Sequence, residues 1–185
     1  MTAPYLAVLT DAQQAVALLN RLNPWHGHNN CPAAAAAVHH YLSTSGAERP
    51  AHAEDICFGY VVAGNWTSIA NIGAIYTRLA SGAEGNHVVM HGIRSETDEE
   101  FTVDHYCNLV KIGTEVYLLD ASVTPRTAIS GRTSITGFCT TNRFIRYEIA
   151  TQYQVTQEPN PETAHRQECR DVGRSRSLVH DYMRH

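Results

Sequence analysis

The sequence predicts an α+β fold in which N-terminal helices pack on a mostly antiparallel sheet. Up to about residue 80, apolar residues recur at intervals of three and four, which is typical of amphipathic helices. From about residue 87 the interval changes to two, which is typical of half-buried strands. Because the helices precede the strands and do not alternate with them, a sheet of parallel βαβ units is not expected.

Three helices are predicted, and each has a recognisable start or stop. Thr10-Asp11-Ala12-Gln13 has the T-x-x-Q form of a capping box, which marks the start of the first helix. Gly46 is a suitable stop for the second helix, and Gly82 or Gly85 for the third. The helices are expected over residues 11–22, from Cys31 to about Ser45, and from Trp66 to near Gly82 or Gly85.

Alternating segments predict four strands, two of which form a hairpin. Gly113-Thr114 suits a type II′ turn, in which glycine takes the first central position. Glu48 to Ala53 is predicted to be loop and Ser95 to Glu100 a polar turn, whereas Ile56 to Ala63 could be a strand or an irregular segment. The strands are expected over residues 87–91, 101–112, 115–121 and 142–150.

Length and composition predict one domain over residues 1–155, followed by a polar tail or loosely attached helix over residues 156–185. The net charge of −4 does not favour nucleic acid or an anionic membrane as a partner. No apolar run approaches the ~18 residues that a membrane span requires. Met1 to Thr10 lacks the basic segment of a cleaved signal peptide, so none is expected.

The cysteines and histidines do not predict a disulfide framework or a metal site. Five cysteines at positions 31, 57, 107, 139 and 169 are odd in number, scattered and without a C-x-x-C pair. His26 with His28, and His87 with His91, are possible ligand pairs, but residues four apart on a strand lie too far apart for one ion. His52-Ala53-Glu54 resembles the H-x-E of zinc nucleobase deaminases, but the P-C-x-x-C is missing. No metal and no cofactor are expected.

Cys31 is the candidate nucleophile because of where it stands in the predicted second helix. Asn30 is a favoured N-cap, Pro32 is tolerated in the first turn, and the five alanines that follow are strong helix formers. In a first helical turn, unpaired N–H groups and the helix dipole favour a thiolate over a thiol. The alternative is that Cys31 is a small buried residue at a helix end.

A histidine and a carboxylate are predicted to meet on one face of the hairpin. If the loop is Gly113-Thr114, opposed residues sum to 227, so Cys107 faces Asp120. His105 lies two residues before Cys107 and therefore shares its face, one diagonal step from Asp120. This arrangement predicts that His105 is a base for Cys31 and that Asp120 orients the imidazole. The N–H of Cys31, with Asn29 or Asn30, is predicted to hold the oxyanion.

Two blocks of the chain resemble the papain-fold toxin domains of bacterial polymorphic toxins, a group that includes glutamine deamidases. The first block is Asn23-Pro24…Gly27…Asn30-Cys31 with the small-residue helix behind it. The second runs from His105-Tyr106-Cys107-Asn108-Leu109 through Gly113 to Asp120. The chain departs from the family at Ser122, where glutamine is common, and at Asp104, where a small residue is common.

The resemblance implies a papain-like fold and a Cys31–His105–Asp120 triad that acts on a protein glutamine or peptide bond. It also implies an effector secreted by a specialised route into the cytoplasm of a target cell, a target protein there, and a cognate immunity protein. A cysteine peptidase, a cell-wall peptide amidase, and a transglutaminase or other acyl transferase remain alternatives within this chemistry. A non-catalytic papain-like interaction module is the alternative outside it.

Overall fold

The computed structural model of the protein describes residues 1–25, 30–51, 67–94 and 104–150. Within these ranges the chain is α+β, as predicted, with five α-helices and a six-stranded antiparallel sheet. The helices are α1 (Pro4–Ala7), α2 (Ala12–Leu22), α3 (Cys31–Ser43), α4 (Ile72–Ala80) and α5 (Arg132–Thr141), with 3-10 turns over Val8–Thr10 and Ile69–Asn71. The strands are β1 (Thr67–Ser68), β2 (His87–Arg94), β3 (Asp104–Ile112), β4 (Glu115–Asp120), β5 (Thr127–Ser130) and β6 (Phe144–Ala150).

The strands lie in the order β1-β6-β2-β3-β4-β5, and every neighbouring pair is antiparallel. Strand β6, the last of these in the chain, therefore lies between β1 and β2. The sheet buries both of its faces. One face carries a cluster with α2 and α3 that includes Leu119, and the other carries a cluster with α4 and α5 that includes Leu118. Adjacent residues of β4 thus belong to different clusters, as strand geometry requires.

The start of the first predicted helix was placed one residue too early. Asp11, not Thr10, is the N-cap of α2, because Asp11 Oδ1 accepts a hydrogen bond from the N–H of Gln14 at 2.9 Å. The Thr10 hydroxyl instead donates to the carbonyl of Ala7 at 2.8 Å and belongs to the preceding 3-10 turn. That turn and α1 were not predicted.

Helix α3 begins at Cys31, as predicted, and lies against β3. Its five alanines are all buried, and small side chains let a helix backbone approach a sheet closely. The buried Asn108 of β3 donates from Nδ2 to the carbonyl of Ala35 at 3.1 Å, which fixes the helix along the strand. At the other end, Ser45 takes a left-handed φ of 55° and the N–H of Gly46 donates to Tyr41 O at 2.9 Å, a Schellman-type end.

The third predicted helix is wrong over residues 67–71. Thr67–Ser68 pairs with Tyr147 and Arg146 of β6, the next residues form a 3-10 turn, and α-helix begins only at Ile72. Pairing with a strand far along the chain overrides the local helical spacing here. Trp66, the predicted first residue, lies outside the described residues.

The predicted hairpin register is confirmed. Ile112 lies opposite Glu115 and Leu109 opposite Leu118, each pair summing to 227. Gly113 has a φ of +60° while Thr114 has no positive φ, as a type II′ turn requires. Strand β2 is three residues longer than predicted, and β5 and α5 were not predicted. Residues 56–63, 95–100 and 156–185, for which a segment, a turn and a tail were predicted, lie outside the described residues.

Within the described part of the chain, no helix combines the length and the apolar character needed to cross a membrane.

Candidate active site

Cys31 is the first residue of α3, so its sulfur stands at the positive end of a 13-residue helix. The residue is 8% exposed, which leaves it buried but next to the surface. Its own N–H is among the first N–H groups of the helix, which have no partner within the helix. The local sequence produces this placement because Pro32 and the alanines start a helix at once.

His105 and Asp120 form a buried pair at the ends of two neighbouring strands. His105 is the second residue of β3, Asp120 is the last residue of β4, and both side chains are almost inaccessible to solvent. His105 Nε2 lies 2.5 Å from Asp120 Oδ2, so the imidazole and the carboxylate are in direct hydrogen-bonding contact. The hairpin register places the two residues together, as the sequence predicted.

Cys31 completes the group, because its side chain is hydrogen-bonded to His105. Since Nε2 of His105 contacts Asp120, Nδ1 is the ring nitrogen that remains for the sulfur. Burial by itself lowers the pKa of His105, but the hydrogen bonds to Asp120 and Cys31 outweigh burial and raise it from 6.5 to about 9. The structure therefore brings the three predicted site residues together, with the imidazolium as the favoured form at neutral pH.

The second oxygen of Asp120 is also occupied, which keeps the carboxylate ionised and in place. Oδ1 accepts hydrogen bonds from the Ser122 N–H at 2.9 Å, the Ser122 hydroxyl at 2.8 Å and the Val123 N–H at 3.3 Å. Burial raises the pKa of Asp120, but the hydrogen bonds from His105 and Ser122 outweigh it, so the pKa lies below the usual 3.8. Ser122, one of the two departures from the family pattern, is thus a direct partner of the acid.

Aromatic rings hold the other side of the imidazole. The Phe144 ring stacks on His105 with 5.9 Å between ring centroids, and the Phe138 ring lies 6.5 Å away. Gly92 lies opposite His105 in β2, and a Cβ there would meet three carbons of the Phe144 ring at 3.1 Å. The glycine therefore leaves room for the ring that packs on His105.

Asn29 and Asn30 are the two residues predicted to complete the oxyanion hole, and the structure describes only Asn30. Asn29 lies outside the described residues. Asn30 is buried at the N-cap of α3, but its side chain forms no capping bond. Its Oδ1, the atom that would cap, instead accepts from Asn23 Nδ2 at 3.3 Å, and its Nδ2 donates to Asn23 Oδ1 at 2.8 Å. The N-cap interpretation of Asn30 is thus right in position and wrong in mechanism. Its role as an oxyanion donor stays a prediction.

Asn23 and Arg126 lie beside the site, and sequence reasoning assigned no role to either of them. Asn23 appeared only as part of the first sequence block, and Arg126 did not appear at all. Both are buried, and they join the segment before Cys31 to the segment after Asp120. The contacts of Arg126 with the Asn23 region join parts of the chain that are 103 positions apart. No local pattern in the sequence signals such a contact.

The other described cysteines are poor competitors for Cys31. Cys107 and Cys139 are each 1% exposed, and all three described cysteines are free thiols. Burial raises the pKa of Cys139 to about 11, and burial together with the Asp120 charge raises the pKa of Cys107 well above 9. A low thiolate fraction and low access both slow reaction at these two sulfurs. Cys57 and Cys169 lie outside the described residues.

His87 and His91, which were considered as a pair of metal ligands, form contacts with other groups of the protein. His91 Nδ1 lies 2.8 Å from Glu148 Oε1, and the His91 ring stacks on Tyr106 with 4.2 Å between centroids. His87 Nδ1 lies 2.9 Å from the carbonyl of Gly85. Among the described residues, no three His, Cys, Asp or Glu side chains converge as a metal site. His26, His28, His52 and Glu54 lie outside those residues.

Comparison with known proteins adds no relative: no family model, no curated protein and no solved structure matches the chain. The likeness to papain-fold toxins therefore depends on the two sequence blocks alone, and the function on the geometry of the site.

Proposed function

We propose that the chain is a papain-like cysteine hydrolase that acts on a protein amide, as a protein-glutamine deamidase. One observation carries the proposal: the first residue of a helix, Cys31, is hydrogen-bonded to a buried histidine that is itself hydrogen-bonded to a buried aspartate. Thiol, imidazole and carboxylate in this order are the parts of an activated cysteine nucleophile.

In the first half of the proposed reaction, the Cys31 thiolate attacks the carboxamide carbon of a glutamine side chain. The carbonyl oxygen becomes an oxyanion, to which the Cys31 N–H at the helix start is a suitable donor. The imidazolium of His105 gives its proton to the departing nitrogen, the C–N bond breaks, and ammonia leaves. A thioester joins Cys31 to the substrate, and His105 is now neutral.

In the second half, His105 takes a proton from water while the water oxygen attacks the thioester carbon. The C–S bond breaks, glutamate is released, and the thiolate–imidazolium pair is restored. Asp120 stays ionised throughout, because its contacts with His105, Ser122 and Val123 all favour the carboxylate. Its role is to orient the ring and stabilise its charged form.

The free-energy cost of burying the His105–Asp120 pair favours a catalytic role over a non-catalytic interaction module. Removing a carboxylate and an imidazolium from water is expensive, and such pairs are often no more stable than apolar residues of similar volume. An interaction module would gain nothing from keeping this pair in contact with a thiol. Strongly shifted pKa values in such a cluster are typical of functional sites.

The proposed biological role is that of a toxin domain delivered into the cytoplasm of a target cell by a specialised secretion route. In that role the substrate is a protein of the target cell, and the producing cell makes an immunity protein that blocks the site. This part of the proposal is supported by the resemblance of the two sequence blocks to papain-fold toxins.

The test is to express the chain in a bacterial host and record growth and the intact masses of host proteins. Deamidation predicts growth arrest together with the small mass gain that follows when an amide NH₂ becomes OH. Cys31→Ala and His105→Ala should abolish both effects while the circular dichroism spectrum stays unchanged. Cys139→Ala is the matched control, because it removes a buried thiol from the same protein without touching the site.

The same experiment separates the alternatives. Fragments of host proteins would indicate a cysteine peptidase, and cross-linked or amine-modified proteins would indicate a transglutaminase or another acyl transferase. Growth arrest that persists in Cys31→Ala would refute a cysteine-dependent enzyme of any of these kinds.

A further inference from the structure

Arg126 is a buried arginine whose guanidinium binds the backbone on both sides of the site. It is 4% exposed, and its Nη2 donates to the carbonyls of Asn23 at 2.7 Å and Trp25 at 2.6 Å. Its Nη1 donates to the carbonyl of Val123 at 2.9 Å. Burying a guanidinium is costly, so an arginine fixed in this way has a specific structural or functional use.

Asn23 extends the same set of contacts to the two residues that adjoin the site. It is fully buried at the end of α2, and its Nδ2 donates to the carbonyl of Ala121 at 2.7 Å and to Asn30 Oδ1 at 3.3 Å. Its Oδ1 accepts from Asn30 Nδ2 at 2.8 Å. Asn30 precedes Cys31 in the chain, and Ala121 follows Asp120.

We infer that Asn23, Asn30 and Arg126 form a clamp that positions Cys31 against His105. The clamp joins the chain before the nucleophile (residues 23, 25 and 30) to the chain after the acid (residues 121 and 123). Since Asp120 in turn holds His105, the clamp sets the distance between sulfur and imidazole. The inference rests on the proposed function, and it assigns positioning residues to that site, not further catalytic ones.

Charge and geometry are two separable ways in which Arg126 could act. Its positive charge interacts with Asp120, so one way is a charge effect on the site. The clamp depends instead on the planar guanidinium, whose two Nη atoms reach three carbonyls at fixed angles. Lysine keeps the charge but has only one nitrogen, so it cannot reproduce this fork. Arg126→Lys therefore separates the two effects.

The experiment measures the rate of Cys31 alkylation by iodoacetamide as a function of pH in the full chain, with modified peptides assigned by mass. The wild type should alkylate fastest at Cys31 at about pH 6, where an ordinary thiol is almost entirely protonated. In Arg126→Lys this rate should fall about 10-fold or more and the acid limb of the profile should move, since small displacements of reacting groups have effects of this size. Arg21→Lys is the matched control, because Arg21 lies in an exposed ion pair with Glu48.

Asn23→Ser is the second variant and removes the amide that links Asn30 to Ala121. It should slow Cys31 alkylation in the same way, and it carries the test if Arg126→Lys does not stay folded in a thermal scan. A folded Arg126→Lys or Asn23→Ser with the wild-type profile would overturn the clamp and leave the proposed function intact. A wild type in which Cys31 has no special reactivity would contradict the proposed function, and the clamp with it.

Discussion

His105 and His39 are two histidines whose pKa values are shifted in opposite directions by the fold. Hydrogen bonds to Asp120 and Cys31 raise the pKa of His105 from 6.5 to about 9, against the effect of burial. Burial, with the neighbouring His87 and His40, lowers the pKa of His39 from 6.5 to about 4. The native state therefore favours a protonated His105 and a neutral His39.

These shifts predict that the free energy of unfolding has its maximum near pH 6.5. A raised pKa gives stability that is fully present below 6.5 and is lost as pH rises through about 9. A lowered pKa gives stability that is fully present above 6.5 and is lost as pH falls through about 4. Urea unfolding at a series of pH values measures the fall in stability on each side of this maximum, with a loss on the order of 3 kcal/mol on the alkaline side.

Two substitutions test which histidine causes the loss of stability on each side of the maximum. His105→Gln should flatten the fall between pH 6.5 and about 9, and His39→Gln should flatten the fall towards pH 4. The lowered pKa of Asp120 adds a loss of stability below its usual value of 3.8, so the acid series should stop at about pH 4. An alkaline limb that is the same in wild type and His105→Gln would show that another group causes it.

Among the elements, the β3–β4 hairpin is the one that sequence reasoning described best. Its turn and register follow from Gly113-Thr114 and the alternating residues on either side, all of which are local. The register then places His105 beside Asp120 without any information from the rest of the chain. The position of Cys31 at a helix start is local as well. For these reasons the three site residues could be predicted individually.

Replacing glycine by alanine is predicted to change the stability of the protein in opposite directions at Gly113 and at Gly137. Gly113→Ala should destabilise the protein by about 1 kcal/mol, because an L-residue is strained at a φ of +60° although nothing lies within 4 Å of its Cβ. Gly137→Ala should stabilise it by a similar amount, because Gly137 is exposed in the middle of α5 with equally free space. Chemical denaturation of the two variants and the wild type measures both values.

If Gly113→Ala were as stable as wild type, the type II′ turn would be wrong, and with it the basis of the register. Gly113→Asn offers a graded check, because asparagine is more common than alanine at the positive-φ positions of type I′ and II′ turns. Its stability should fall between those of the wild type and Gly113→Ala.

Other elements could not be predicted, for physical reasons that differ. β1 has two residues and exists through its pairing with β6, which is about 80 positions away in the chain. Helix α5 has one short apolar repeat, Ile135, Phe138 and Cys139, but its four threonines and central glycine are weak helix formers. The hydrogen bonds of Asn23, Asn30 and Arg126 join these side chains to each other or to backbone carbonyls distant in the chain, and such contacts leave no periodic trace in a sequence.

At the scale of the whole molecule, one sheet holds two hydrophobic clusters together. Leu118 and Leu119 are adjacent and fully buried, but they belong to different clusters on opposite faces. Both clusters are built on the same strands, so loss of packing on one face is expected to disrupt the strands that support the other face. We therefore expect the described part of the chain to unfold as one cooperative unit.

Leu118→Ala and Leu119→Ala test this expectation. Each should cost about 2 to 5 kcal/mol, because truncating a buried leucine removes contacts and leaves a cavity. In each variant the far-ultraviolet and near-ultraviolet circular dichroism transitions should coincide. Ile145→Ala is the control, since Ile145 is 39% exposed on β6 and its truncation should cost less than about 1 kcal/mol. Separate transitions in either leucine variant would mean that the two faces unfold independently.

The Cys31–His105 contact joins residues that are 74 positions apart (105 − 31), and α3 has to dock on β3 before the contact exists. A nascent or denatured chain accordingly carries five ordinary thiols. The reactivity proposed for Cys31 would arise only when α3 docks on β3, so pulse labelling of that thiol during refolding would time this single event. In an active protein the nucleophile would thus report its own maturation, without any attached dye.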